Sequence, residues 1–531
     1  MITRYFSVLA ALFIMSFPAD LFALSSTNIP LGSPVYDQIE KLSALGLISS
    51  DFAGIKPITK SEGARLLLEA ESNSKSKALL SFEDDLLNQL RTYLKRELSL
   101  ADKPAEAPLF DVTPLTEVSV RYIYLSGTPR NYDRPVHDPG GEGVFGIGSG
   151  LRPVNPYPSI VHQRGSEGTP LFENNEGIRY NEGSSLDARL TGEASFGQHI
   201  SLLVEPEFLS TAGLLRGRLN KGYVKIGGGA LELEVGRDSN WLGFGERGAL
   251  TLSNNADNFD LIKLSNPEPL AAGFLGKLKF ALIFSQFDKV MTANGERQPW
   301  FYAIKASLKP VPSVEVGINL GRQQGGPGVN NSLRDNIQGV VGGTNKDNSN
   351  SLGGLEIRWR IPFLRNTEAY FEFSGEDAAK FWPFVESYLG GIYIPRLTDD
   401  GKNDFRFEYF LGNNILYTHS QFDEGYIYEG MPIGHSQGGA TEDFFFRYRH
   451  WFNARGHAGA EYMYTTRGNR GRVDNQALER KNALRAFWAI PLTEKLDMKL
   501  TYGWEKINNL NLLEDAGRTN NLAVVEAHYK F

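Results

Sequence analysis

Between Trp241 and Phe259 the chain reads WLGFGERGALTLSNNADNF. Gly243, Gly245 and Gly248 fit G-x-G-x-x-G, the spacing of a loop that cradles a dinucleotide pyrophosphate. That chemistry needs a helix to begin at the glycines, so that its first N–H groups face the phosphates. Here ALTLS follows, which reads as extended, and no strand–helix–strand unit surrounds it. The glycines are therefore expected to serve tight turns. Trp241, Glu246, Arg247, Ser253, Asn254 and Asn255 remain. An aromatic face packs on the apolar face of a pyranose, while amides and charged groups bond its hydroxyls, so this set suits a sugar site. It equally suits a loop folded inward, with the asparagines satisfying its own backbone.

A second stretch, residues 414–440, holds His419, Tyr426, Tyr428 and His435. The tyrosines could stack on sugars or pack the loop down. The two histidines lack a metal-ligand spacing. His419 and Ser420 are adjacent, so on an extended chain they point to opposite faces, and there is no G-x-S-x-G elbow. No catalytic constellation, cofactor or metal is expected.

The elements that must position these residues change character along the chain. Its 531 residues, as a soluble protein, would suggest about two to four domains. With 55 basic against 62 acidic residues there is no basic footprint for nucleic acid. Cysteine is absent, which removes disulfides, thiolate catalysis and Cys-ligated metals together. No internal stretch reaches the roughly 20 apolar residues of a membrane helix. At the start, Arg4 precedes an apolar run from Tyr5 to Phe17, and Ala23 can be the last residue before cleavage. Residues 1–23 read as a secretory signal peptide, so the mature chain is exported.

Residues 24–110 are expected to form a small helical head. Ser33 can cap a helix whose first position is Pro34 and whose end is Gly46. Thr59 and Glu62 have capping-box spacing, and Phe82, Leu86, Leu90, Tyr93 and Leu94 share one face of a third segment. VYDQIEKLSALGLI with ITKSEGARLLLEA also resembles one S-layer homology unit, which implies contact with the cell wall. A packed bundle of three helices is the other reading of the same pattern.

From residue 111 the apolar period becomes two. In SLDARLTGEASF, Leu186, Ala188, Leu190, Ala194 and Phe196 fall on one face, and Asp187, Arg189, Thr191 and Glu193 on the other. A sandwich would bury the apolar face against a second sheet; a membrane barrel turns it to lipid and leaves charges in the lumen. Two features favour the barrel. The segments run about nine to twelve residues, long enough for a tilted membrane strand. Eighteen candidate strands between 115 and 531 are joined by short turns on one side, while the other side includes long connections at 127–183, 239–258, 323–351, 414–440, 468–480 and 507–519. An even count puts both barrel ends on the short-turn side, which places the helical head in the periplasm. The last strand ends on Phe531 with Val525, Ala527 and Tyr529 on its face, which resembles the assembly signal of outer-membrane barrels. Arg447 and Arg449 then face the lumen. They could favour an acidic polysaccharide or form a ladder with acidic neighbours.

The stretch YVKIGGGALELEVGRDSNWLGFGERGALTLSNNADNFDLIKLSNPEP (223–269) resembles the signature region of the Wzi capsule assembly family, and YTHSQFDEGYIYEGMPIGHSQGG (417–439) resembles its later signature. The resemblance implies an 18-stranded antiparallel transmembrane β-barrel with an N-terminal α-helical head, a mainly β fold. It implies a lectin-like outer-membrane protein that holds capsular or exported polysaccharide at the cell surface. The head could then meet the cell wall or the export machinery. Trp241, Arg247, Asn254, Asn255, His419, Tyr426, Tyr428 and His435 are the polysaccharide-binding candidates, with the two loops expected to fold together near the outer mouth. A diffusion porin is the competing function, because eighteen strands are wide enough for a channel.

Overall fold

Period-two alternation closes into a barrel because a sheet with one apolar face and no free edge needs no second sheet. The computed structural model describes residues 24–531 except 78, 139–158, 229, 293–294, 341–348, 377–384, 420–421 and 423. The expected signal peptide, residues 1–23, lies outside the described residues, as does Ser420.

The barrel strands are β1 (Asp111–Ser126), β2 (Gly183–Phe196), β3 (Ile200–Thr211), β4 (Leu214–Gly228), β5 (Leu231–Asp238), β6 (Phe259–Ser265), β7 (Lys277–Gln286), β8 (Trp300–Val311) and β9 (Val314–Gln324). They continue as β10 (Ser349–Ile361), β11 (Thr367–Glu376), β12 (Val385–Ile394), β13 (Asn403–Gly412), β14 (Thr441–Trp451), β15 (His457–Arg467), β16 (Glu479–Pro491), β17 (Leu496–Asn508) and β18 (Gly517–Lys530). These 18 antiparallel strands pair in chain order, and β1 closes the ring against β18, from Glu117↔Lys530 to Ser126↔Asn521. Each expected strand has its counterpart. The largest shift is in β4, which begins at Leu214 after the two-residue turn Ala212–Gly213 rather than near 220. Two adjacent leucines hide the alternation there, and Pro206, which lacks an N–H, shifts the β3–β4 register.

The two faces are as different as the pattern demands. Leu186, Leu190, Tyr122, Tyr124, Trp359, Phe371, Trp488 and Tyr502 are exposed on the outside. Asp187, Glu207, Lys225, Glu234, Lys305, Glu372, Asp404 and Arg449 are buried within. Outward rings pair across strands, for example Phe407 with Phe446 at 5.1 Å. The outside is a lipid-facing belt and the inside is a charged lumen.

The head consists of α1 (Pro34–Ala44), α2 (Lys60–Ser74), α3 (Ser81–Tyr93) and a further short helix, α4 (Lys95–Leu100). Ser33 Oγ accepts from the Val35 N–H and Thr59 Oγ1 from the Glu62 N–H, and Gly46 turns the chain after α1 with φ +80°. The head closes the short-turn end of the barrel. Phe82 packs on Trp451 of β14 at 5.7 Å. Asp37 pairs with Arg449 (2.8 Å), Glu40 with Arg406 (2.6 Å) and Lys41 with Asp404 (3.1 Å). Asn28 donates to Glu234 (2.9 Å) and Asp238 (2.8 Å) and accepts from Lys225 (2.8 Å).

Asp51 is the most heavily used of these groups. Its carboxylate meets Lys309 (3.0 Å), Arg358 (2.9 Å) and Arg360 (3.1 Å), from β8 and β10. Burial alone would raise its pKa; Arg360, Lys309 and Arg358 overcome that and hold it well below the carboxylate range. An Asp51→Asn variant leaves three buried cations short of a counter-charge. Breaking one such partnership costs about 3–5 kcal/mol. The variant should undock the head before the barrel melts, seen as trypsin cleavage within 24–100 under conditions where the parent chain resists.

Candidate functional site

The glycine motif does bind anions, but the anions are the barrel's own. The 239–258 loop leaves β5 and turns down into the lumen. There Glu372 of β11 accepts from the N–H groups of Phe244 (2.6 Å), Gly245 (2.9 Å) and Leu250 (2.9 Å). Glu408 of β13 accepts from Glu246 N–H (2.6 Å), Arg247 N–H (2.9 Å) and the Tyr370 hydroxyl (2.5 Å). Consecutive backbone N–H groups make an anion nest, and a carboxylate fills it as a phosphate would. Glycine is required at Gly245 and Gly248 by close approach. A Cβ at Gly245 would strike the Gly248 carbonyl, and one at Gly248 would strike the His435 ring.

The 413–440 loop lies against this one. Ser253 N–H donates to the Ile433 carbonyl (2.9 Å), Ser253 Oγ to Gly434 O (2.6 Å), and Asn255 Nδ2 to Pro432 O (3.0 Å). The Tyr417 hydroxyl donates to Leu250 O and accepts from His435 N–H, both at 2.7 Å. Leu242, Phe244, Leu250 and Leu252 from one loop and Tyr417, Tyr426, Tyr428 and Ile433 from the other share one apolar cluster. The 127–182 segment adds a third layer: Glu176 N–H donates to Asn254 O (2.8 Å).

The eight candidates fall as follows. The loop position of Trp241 predicts a place at the outer mouth, and the structure departs from it. The residue is 6% exposed and sits inside the barrel, where Trp241–Leu242 pairs antiparallel with Ile55–Lys56 of the head. The apolar residues of the loop bury best there, and the lumen glutamates draw its backbone inward. Arg247 is buried and donates from Nε to Asp443 (2.6 Å). Asn255 and Tyr426 are fully buried, and the Tyr426 hydroxyl donates to Thr251 O (3.0 Å). Tyr428 donates to Asp288 (3.2 Å). His435 stacks on Phe410 with centroids 3.8 Å apart. Asn254 and His419 are partly exposed; His419 Nδ1 accepts from Phe422 N–H (3.2 Å). The lumen arginines form the ladder rather than a free basic surface. Arg447 pairs with Glu246, and Arg449 with Asp37 and Asp404. Sequence reasoning missed Glu372, Glu408 and Asp443 as the groups that hold the loops. Their positions on polar faces were legible; their partners were not.

The family described as "Capsule assembly protein Wzi" matches residues 152–522. The chain belongs to the Wzi capsule assembly family. Among solved structures, this Wzi-family chain is similar to Wzi of Escherichia coli, an outer-membrane protein involved in group 1 capsule assembly and described as a carbohydrate-binding β-barrel. That similarity has 16% identity, a TM-score of 0.66, and coverage of 94% of this chain and 99% of that one. OccD3 (12% identity, TM-score 0.41, covering 82% and 96%) and OprD (11%, 0.44, covering 81% and 96%) of Pseudomonas aeruginosa also align. No curated protein matches the sequence. The Wzi-family barrel is an outer-membrane barrel, in keeping with its lipid-facing belt.

Two tests follow. Glu372→Ala strands three buried N–H groups at about 1–3 kcal/mol each. The 239–258 loop should leave the lumen and become cleavable by protease while the barrel stays folded. Acid should act on the same packing. Burial pushes the His435 imidazole down from 6.5 to about 3, with Asp443 and Glu173 opposing the shift and Arg247 and Lys481 adding to it. Its Nδ1 already accepts from Gln437 N–H (3.3 Å), so a proton there faces another donor. Burial would raise the Glu246 carboxyl, but Arg447 and Arg406 hold it well below its usual value. The unfolded loop therefore binds protons more readily at both groups. Loop stability is full above pH 6.5 and declines as pH falls, first through His435 and then, below pH 4.5, also through Glu246. Protease cleavage of the 413–440 loop should rise between pH 7 and pH 4, and a His435→Gln variant should flatten the upper part of that rise.

Proposed function

We propose that this protein binds capsular or exported polysaccharide on its outer face and holds it at the cell surface. The observation that carries the reading is the pairing of Ile55–Lys56 with Trp241–Leu242 inside the barrel. Two plugs, one from each end, meet there. A lumen filled in this way suits a fixed outer surface better than a diffusion channel. Family membership supports the same reading, as does the carbohydrate binding stated for the similar E. coli barrel.

In this reading the short turns and the head face the periplasm, and the long loops face outward. The head's outer surface is then available to the cell wall or to export machinery. Trp241, Arg247, Asn255, Tyr426, Tyr428 and His435 act from within, by shaping the loops. Asn254 and His419 are the two of the eight with direct access to a glycan.

The test titrates the detergent-held protein with polysaccharide from its own cells, beside a Trp241→Ala, Asn254→Ala double variant. Saturable binding is expected, weakened at least tenfold in the double variant while the barrel keeps its heat-resistant gel mobility. Absence of binding together with ion conductance in a planar bilayer would make the protein a porin instead.

A further inference from the structure

The segment after β9 folds against the outside of the barrel. Lys305 of β8 and Asn319 of β9 pair and face the lumen, both fully buried. Alternation from Asn319 therefore puts Leu320, Arg322 and Gln324 on the outer wall. Aromatic rings mark their level. Arg322 pairs with Tyr302, and Gln323 with Phe301, the neighbour of Trp300. Trp300 and Tyr302 both lie against Phe284 of β7, at 6.1 and 5.4 Å. Such rings at the end of a membrane strand mark the boundary between lipid and water.

At this level the chain forms one more helix, α5 (Leu333–Val340). Ser332 and Asp335 start it. Ser332 Oγ accepts from the Asp335 N–H (3.1 Å), and Asp335 Oδ2 accepts from the Ser332 N–H (3.1 Å). The wall holds the helix from one side. Gln324 Nε2 donates to the Asp335 carbonyl (2.7 Å), and Arg322 Nε donates to Gln324 Oε1 (2.7 Å). Gly339 permits the approach, since a Cβ there would strike the Gln324 side chain. Arg322 and Gln324 are thus buried on the face that elsewhere meets lipid.

The rest of α5 is divided in two. Leu333 (77% exposed) and Ile337 (64%), one turn apart, form an apolar stripe. Arg334 and Gln338, also exposed and one turn apart, form a polar one beside it. At about 100° per residue, these two pairs and the Asp335–Gly339 pair occupy three separate sides of the helix. One side meets the wall, one is apolar and one is polar.

We propose that α5 is an interfacial helix: Leu333 and Ile337 dock in the lipid leaflet at the long-loop end of the barrel, while Arg334 and Gln338 stay at the headgroups. Continuity identifies the occupant. The apolar stripe extends the lipid-facing belt from the level of its outermost rings, and the helix is fastened to that same outer wall. A helix so placed buries its apolar side about 5–10 Å into the boundary between headgroups and chains. Arg334 reaches the phosphates along its own apolar stem. Held by β9 on one side and by lipid on another, α5 fixes the depth of this sector of the barrel. The inference is independent of what the outer face binds.

The chain has no cysteine, so one introduced residue carries a single nitroxide. Leu333→Cys, Ile337→Cys and Gln338→Cys are each labelled in the whole protein, checked for heat-resistant gel mobility, and reconstituted into vesicles of phosphatidylethanolamine and phosphatidylglycerol. Collision with oxygen, which concentrates in lipid, is compared with collision with a water-soluble nickel chelate. Labels at 333 and 337 should favour oxygen and report about 5–10 Å below the phosphates, while the label at 338 should favour the nickel chelate. Equal nickel access at 337 and 338 overturns the proposal, because the helix then stands clear of the membrane. Spin–spin broadening at 337 that fades on dilution with lipid also overturns it, because a second copy of the chain then covers the stripe. A further variant keeps the label at 338 and adds Leu333→Asn and Ile337→Asn, so that no label sits in the stripe. Its nitroxide should move more freely in vesicles; an unchanged spectrum sinks the lipid contact.

Discussion

Every charge in a closed barrel's lumen must find a partner, because the interior excludes most of the water that would otherwise solvate it. This constraint organises the whole molecule. The alternating strands place carboxylates, lysines and arginines inward from all round the ring. Neighbouring strands neutralise some of them, as Glu234 does for Lys263 (3.0 Å). The rest need groups that the wall does not carry. The head supplies Asp37, Glu40 and Asp51 from one end, and the 239–258 loop supplies Glu246, Arg247 and a row of backbone N–H groups from the other. Buried pairs of this kind are not cheap stability; their value here is specificity, since a displaced plug would strand several charges at once.

Because both plugs answer the same constraint, they meet. Arg406 lies between Glu40 of the head (2.6 Å) and Glu246 of the loop (4.0 Å). Gly243 N–H donates to Gly54 O (3.1 Å) beside the short pairing of the two segments. The result is a chain of direct contacts from the helical head to the outer loops. At the long-loop end the described parts of three segments are fastened to one another by hydrogen bonds, Glu176 to Asn254, Ser253 to Gly434 and Gln163 to Asn414.

Much of the fold was legible in the sequence. Period-two alternation is a local property, so each of the eighteen strands could be located without knowing its neighbours. The same holds for the helix caps at Ser33 and Thr59. Where alternation was interrupted, at Leu214–Leu215 and Pro206, the boundary was misplaced. The two signature stretches were also found, and their contact was expected. Their depth was not. An aromatic in a glycine-rich external loop reads as exposed, and nothing local to Trp241 says that Ile55–Lys56 waits inside the barrel.

The sequence by itself determined the number of strands, the face each turns to lipid, and the charged residues each turns inward. These follow from residue type and a two-residue period alone. Only the tertiary structure decided which charge meets which, and therefore what the candidate residues do. Glu372 and Phe244, or Asp51 and Arg358, are separated by more than a hundred residues, and the path of a loop through a crowded lumen is set by all the groups it must satisfy together. The G-x-G-x-x-G stretch shows the difference. Its spacing fitted a phosphate loop but its setting pointed only to tight turns; the folded barrel made it an anion nest and filled it with the barrel's own glutamates.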